Sequence, residues 1–122
     1  MSEFEPRTFV AALHAGMSSL PMLLEEIEPD LRSLRPEMDR WSPLEILAHL
    51  VDEEREDFRM RLRLTLEDPS QPWPPIDPEG WVESRAYAEK DFVELLSQFR
   101  AERTDSLRWL DGLMEAEDVP WD

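Results

Sequence analysis

The 122 residues contain no cysteine, which removes disulfides, zinc–thiolate centres and thiol nucleophiles together. Glycine occurs only three times, at Gly16, Gly80 and Gly112. No glycine-rich phosphate loop or dinucleotide fingerprint is present, and neither is a serine-hydrolase elbow or an internal repeat. No apolar run approaches the roughly 18 residues needed to span a bilayer. Positive charge is scarce: 13 Lys and Arg stand against 29 Asp and Glu, a net charge of −16. Such a chain repels phosphate backbones and anionic lipid, so neither nucleic acid nor a membrane surface is an expected partner. The opening stretch MSEFEPRTF has neither the basic start nor the apolar centre of a secretion signal, so the expected location is the cytoplasm.

What is present suits one helical domain over residues 1–122, since 41% of the residues are hydrophobic, 34% are charged, and eleven prolines fall mostly between periodic segments. Phe9, Leu13, Met17, Leu20, Leu24 and Ile27 recur at steps of three and four, which predicts a helix from about Pro6 to Glu28. Pro21 predicts a kink or restart near Ser18–Ser19, and Pro29 a stop. A second helix is announced by Ser42-Pro43-Leu44-Glu45, which combines an N-cap, a first-position proline and a capping box. Trp41 is placed to pack on Ile46 as a hydrophobic staple. This helix should run to about Glu67, with Leu44, Leu47, Val51, Phe58 and Leu62 as its main stripe.

The stretch DPSQPWPPIDPE, residues 68–79, cannot continue a helix. A third helix is expected from about Glu83 to Leu113, with Ala88, Phe92, Leu95, Leu96, Phe99, Leu107 and Leu110 inward. A stiff connector of that length suits a crossover between parallel helices, hence an up-down-down order.

Some charges fall on apolar faces. Glu54 and Arg55 lie within or beside the stripe of the second helix, and Arg103 lies in the middle of the third helix's stripe. A buried arginine needs a partner, and the expected one is Glu54, or failing that Asp52 or Asp77. The alternative is that Arg103 snorkels to the surface. His49 sits apart, beside a weaker apolar set of Ile46, Leu50, Met60 and Leu64, with Glu53 one turn on as a partner. Periodicity alone makes it structural or exposed. His14, the only other histidine, reads as a surface or core-edge residue. Two histidines without an evident third ligand are a weak metal signal, although Asp52, Glu53 or Glu56 are near in sequence.

The segment RWSPLEILAHLVDEEREDFRMRLRLTL resembles the second helix of the DinB/YfiT-like superfamily, with its Trp-Ser start, its His-Leu, its acidic residue and its arginine-rich tail. LPMLLEEI is similar to that family's first helix, LRPEMDRW to the approach, and PPIDPEGW to a recurring Asp-x-x-x-Trp stretch, Asp77 to Trp81. FVELLSQFRAERTDSLRWLDGL fits the third helix, Arg103 included. The resemblance implies an all-α, up-down-down-up four-helix bundle, three of whose helices this chain contains. It implies a divalent metal, often nickel or zinc, held by three histidines. One of these corresponds to His49, and the other two form a His-x-x-x-His pair on a fourth helix. No His-x-x-x-His occurs here, and EAEDVPWD stands where relatives enter the loop before that helix.

Three readings follow from the resemblance. The first is a metal-dependent enzyme that transfers or isomerises groups with a low-molecular-weight thiol, or hydrolyses them. Its site would be incomplete in this chain alone, with Asp52 or Glu53 orienting His49 from behind. The second is a non-catalytic helical module that forms a homodimer or captures a partner helix, through a groove bounded by Ile46, Leu50 and Leu64. A third is a stand-alone three-helix bundle whose groove closes by rearrangement. None of the three implies a role in DNA repair.

Overall fold

The computed structural model describes the backbone of residues 6–115, and within that range the side chains of residues 6, 7, 9, 10, 17, 18 and 114 lie outside the description. The expected inward positions of Phe9 and Met17, and the reading of EAEDVPWD beyond Glu115, therefore fall outside the described residues. The fold is all-α: no strand occurs among the described residues. Helix α1 spans Pro6–Glu25. A long rod, α2, covers 43–67 in three pieces: an α-helical Pro43–Asp52, a π-helical Glu53–Arg59 and an α-helical Met60–Glu67. A short α3 spans Pro78–Ser84, and α4 spans Phe92–Glu115. None of the described helices is long and apolar enough to cross a membrane.

Local signals explain most of these boundaries. Ser42 Oγ accepts from the Glu45 N–H at 3.1 Å while Glu45 Oε1 accepts from the Ser42 N–H at 2.9 Å, so the capping box closes in both directions. Asp77 caps α3 by accepting from the Gly80 N–H at 3.1 Å. Asp91 caps α4 by accepting from the Glu94 N–H at 2.9 Å.

Helix directions follow from who meets whom. Leu24 packs with Leu44, Leu47, Ala48, Val51, Phe92, Leu95, Leu96 and Phe99 in one apolar cluster. At the other end, Leu13 packs with Phe58, Leu62, Leu107 and Leu110 in a second. Chain number thus rises together along α2 and α4 and falls along α1, which is the up-down-down order. Between the clusters lies a charged layer. Arg59 donates to Glu102 at 2.7 Å and to Ser106 at 3.3 Å, and Arg103 donates to Glu54 at 3.0 Å.

Four expectations need correction. Pro21 does not restart α1; it sits buried inside one continuous helix, so packing outweighs its missing N–H. That helix ends at Glu25 rather than Glu28, and Pro29 opens a 3-10 turn, Pro29–Leu31. The α2 rod carries a seven-residue π segment that no proline or glycine announces. The third long helix begins at Phe92 rather than Glu83. Ala86 takes a left-handed conformation (φ 51°), a 3-10 turn Tyr87–Glu89 follows, and Tyr87, not Ala88, is buried.

Candidate functional site

The start of α2 is pinned from outside as well as within. Arg35 grips the Glu45 carboxylate with Nε on Oε1 at 2.8 Å and Nη2 on Oε2 at 2.5 Å. That guanidinium holds Glu45's carboxyl below its ordinary value, against the opposing effect of burial and with help from the Ser42 N–H. The anchored turn sets the direction of His49 further along the rod.

His49 is three-quarters buried, its side chain 24% exposed. The Trp41 ring lies against the imidazole, with centroids 5.0 Å apart and planes tilted by 56°. Trp41 therefore packs on His49, while Ile46, its expected staple partner, is 42% exposed and lines a cleft with it. His49 Nδ1 faces Glu53 Oε1 at 3.9 Å, and both atoms are buried without a hydrogen-bond partner. The other ring nitrogen, Nε2, takes no hydrogen bond among the described residues. Burial lowers the His49 pKa, opposed by the charges of Asp52 and Asp57. Glu53 is pushed up to about 7, first by burial and then by Asp57, with Arg61 opposing. Arg61 Nε lies 3.0 Å from Asp57 Oδ1. His49, Glu53, Asp57 and Arg61 thus form a ladder at intervals of four residues along one side of α2.

Of the other candidate residues, Arg103 pairs with Glu54 as expected and does not snorkel to the surface, while Asp52 and Asp77 are engaged elsewhere. Glu54, 5% exposed, receives Arg103 Nε and Nη2, each at 3.0 Å, while Arg103 Nη1 donates to the Leu13 carbonyl at 3.0 Å. Asp52 belongs to a separate buried network. It accepts the Tyr87 hydroxyl and meets Arg85 Nη1 at 3.0 Å and Arg55 Nη2 at 3.3 Å. Burial, then the bond to Asp52, raises the Tyr87 phenol above its ordinary value. Arg85 also grips Glu56 with both terminal nitrogens and lies 3.8 Å above the Trp81 ring. Asp77 is occupied as a cap. His14 is 48% exposed and lies 3.5 Å from Asp111. The α1 and α4 contacts put it at the far end of the bundle, roughly 20 Å from His49 at 1.5 Å rise per residue.

Asp57 was missed by sequence reasoning, although its position eight residues after His49 was a readable signal. Arg35, Arg85 and Tyr87 had no such signal, because each reaches α2 from a loop or turn.

Beside the Trp41–His49 contact opens a cleft of about 650 Å³, lined by Pro36, Asp39, Arg40, Trp41, Ile46 and Glu79. The family model of the DinB superfamily matches residues 12–120. The chain belongs to the DinB superfamily. No curated protein and no solved structure gave a match. The superfamily match spans α1 to α4, so it embraces every residue of the His49 site and of the Arg103–Glu54 layer.

The donor set can be tested against a divalent metal. His49 and Glu53 place two unpaired polar atoms, Nδ1 and Oε1, face to face, and the second ring nitrogen, Nε2, is the one that points away from Glu53. Among the described residues, no three His, Asp or Glu side chains gather closely enough to hold an ion. The arrangement fits one side of a metal site, a carboxylate-oriented imidazole, and does not close one.

Proposed function

We propose that this DinB-superfamily chain is a divalent-metal-dependent enzyme of the cytoplasm, with His49 as a metal ligand. Its class is a transferase or isomerase using a low-molecular-weight thiol, or a hydrolase. The observation that carries this reading is the His49–Glu53 pair: two buried polar atoms without hydrogen-bond partners, packed behind the Trp41 ring that lines the cleft. A buried, unpaired acceptor costs about 1–3 kcal/mol. Such a cost is tolerated where the group has work to do.

The residues divide the work as follows. Glu53, 3.9 Å from Nδ1, is placed to accept the Nδ1–H of His49 when metal binds, which keeps the proton on Nδ1 and leaves the Nε2 lone pair for the ligand. Trp41 holds the ring and shields one face from water. Nickel or zinc bound there would lower the pKa of a coordinated water or thiol toward neutral. Further donors have to come from outside the described residues or from a second copy of the chain.

Elemental analysis of the purified chain tests this. Near-stoichiometric nickel or zinc in the parent, lost in His49→Ala, is the expected result. A parent without metal, or metal retained by the variant, contradicts it.

A second reading, association through the His49 flank, is favoured by one observation: Ile46 and Met60 are 42% and 36% exposed there. Leu50 packs on the first core cluster, which narrows the groove to Ile46, Met60 and Leu64. Light scattering should then give a dimer mass that falls to the monomer in Ile46→Lys/Met60→Lys; a monomer at high concentration refutes it.

A further inference from the structure

The cleft beside Trp41 has a chemistry that the metal reading does not use. Its volume of about 650 Å³ lies in the range of small-molecule sites. One wall is the Trp41 ring, kept rigid by its packing on His49 and on the first apolar cluster. Ile46 adds an exposed aliphatic surface. Two carboxylates come from different parts of the fold, Asp39 from the loop before α2 and Glu79 from the first turn of α3. Among the described residues neither has an ion-pair or hydrogen-bond partner for its side chain. The single cation in the lining, Arg40, lies 3.4 Å from the Glu37 carboxylate, so the carboxylates Glu37, Asp39 and Glu79 outnumber it here. The cleft therefore combines a negative local charge with an aromatic face, inside a chain of net charge −16. An anion is repelled by both features. A compact cation is attracted by both, since an indole ring draws positive charge to its face.

We propose that this cleft binds a small organic cation, an ammonium or quaternary amine on a short carbon body. Asp39 and Glu79 match its charge, and Trp41 and Ile46 receive its apolar groups. The assignment stands apart from metal binding, because none of these four residues is a candidate ligand.

The test is a titration of the full chain, treated with chelator so that metal plays no part, followed by NMR at the Trp41 indole N–H. Choline serves as the cationic probe, and its uncharged isostere, with carbon in place of nitrogen, as the control. The expected result is a saturable shift with choline and binding at least about tenfold weaker for the isostere, a step of 1.4 kcal/mol. Asp39→Asn/Glu79→Gln should weaken choline at least about fivefold, and Trp41→Ala should abolish it. The two carboxylate substitutions sit on exposed side chains, so they remain decisive if Trp41→Ala does not fold. No saturable shift with choline, equal binding of the isostere, or unchanged affinity in the double carboxylate variant would each overturn the proposal.

Discussion

Arg103→Met is the most informative single substitution in the bundle. Arg103 is 14% exposed and Glu54 5%, and the guanidinium supplies both of Glu54's contacts on Oε1. Glu54 Oε2 is already buried without a partner. Methionine fills most of the arginine's volume but leaves a carboxylate with no counter-charge between two apolar clusters. Breaking a buried pair in this way costs about 3–5 kcal/mol. The Leu13 carbonyl also loses its Nη1 donor, at about 1 kcal/mol. Set against a total stability of about 5–15 kcal/mol, the loss is large. For a chain of this size it corresponds to a melting temperature roughly 10–20 °C lower.

The assay is urea denaturation followed by helical circular dichroism, on the parent, both single variants and Glu54→Leu/Arg103→Met. The double variant has no buried charge, so it should recover to within about 2 kcal/mol of the parent, which makes the coupling at least about 2 kcal/mol. If Arg103→Met costs under about 1 kcal/mol, the arginine behaves as a snorkelling surface residue. If the double variant is simply the sum of the singles, the pair is not the unit described here.

Three smaller tests reach other parts of the structure. Glu53 is raised from 4.5 to about 7, so the folded chain keeps a proton that the unfolded chain releases. That stabilisation is complete below about pH 4.5 and is lost as pH rises through 7. Glu53→Gln, neutral throughout, should therefore gain on the order of 1–3 kcal/mol relative to the parent between pH 5 and pH 8, read from paired urea curves. A pH-independent difference contradicts the raised value. Ala86→Gly should raise stability by about 0.5–1 kcal/mol, because the left-handed φ of 51° strains a residue with a Cβ; a loss of stability would show that the turn is not strained. A Cβ on Gly80 would lie 1.9 Å from Asp77 Oδ2, so Gly80→Ala should displace the cap of α3 and cost about 0.5–2 kcal/mol. An unchanged melting temperature would refute that contact.

The features legible in the sequence are those set by neighbours along the chain. Ser42, Pro43 and Glu45 state a helix start within four residues, and the structure closes that box in both directions. The inward set Phe92, Leu95, Leu96, Phe99, Leu107 and Leu110 follows from helical spacing and is buried throughout. The features that escaped depend on distant contacts. Nothing local says that Pro21 will be tolerated, since its support comes from the core that closes around it. The π segment bears the side chains that reach Arg85, Glu102 and Arg103, and those partners lie 29 to 49 residues away. Tyr87 looked like part of a helix until its bond to Asp52 drew it inward and left Ala88 exposed. At the site, His49 and Glu53 were visible as an i, i+4 pair, whereas burial of both facing atoms was not.

Imidazole nitrogen shifts of His49, recorded by NMR while zinc is added at pH 8, show whether this side chain is a metal ligand. A proton on Nδ1 before and after addition is expected, with the shift change confined to Nε2 and reduced in Glu53→Ala. Zinc that leaves both nitrogens unmoved, or that displaces the proton from Nδ1, would contradict it.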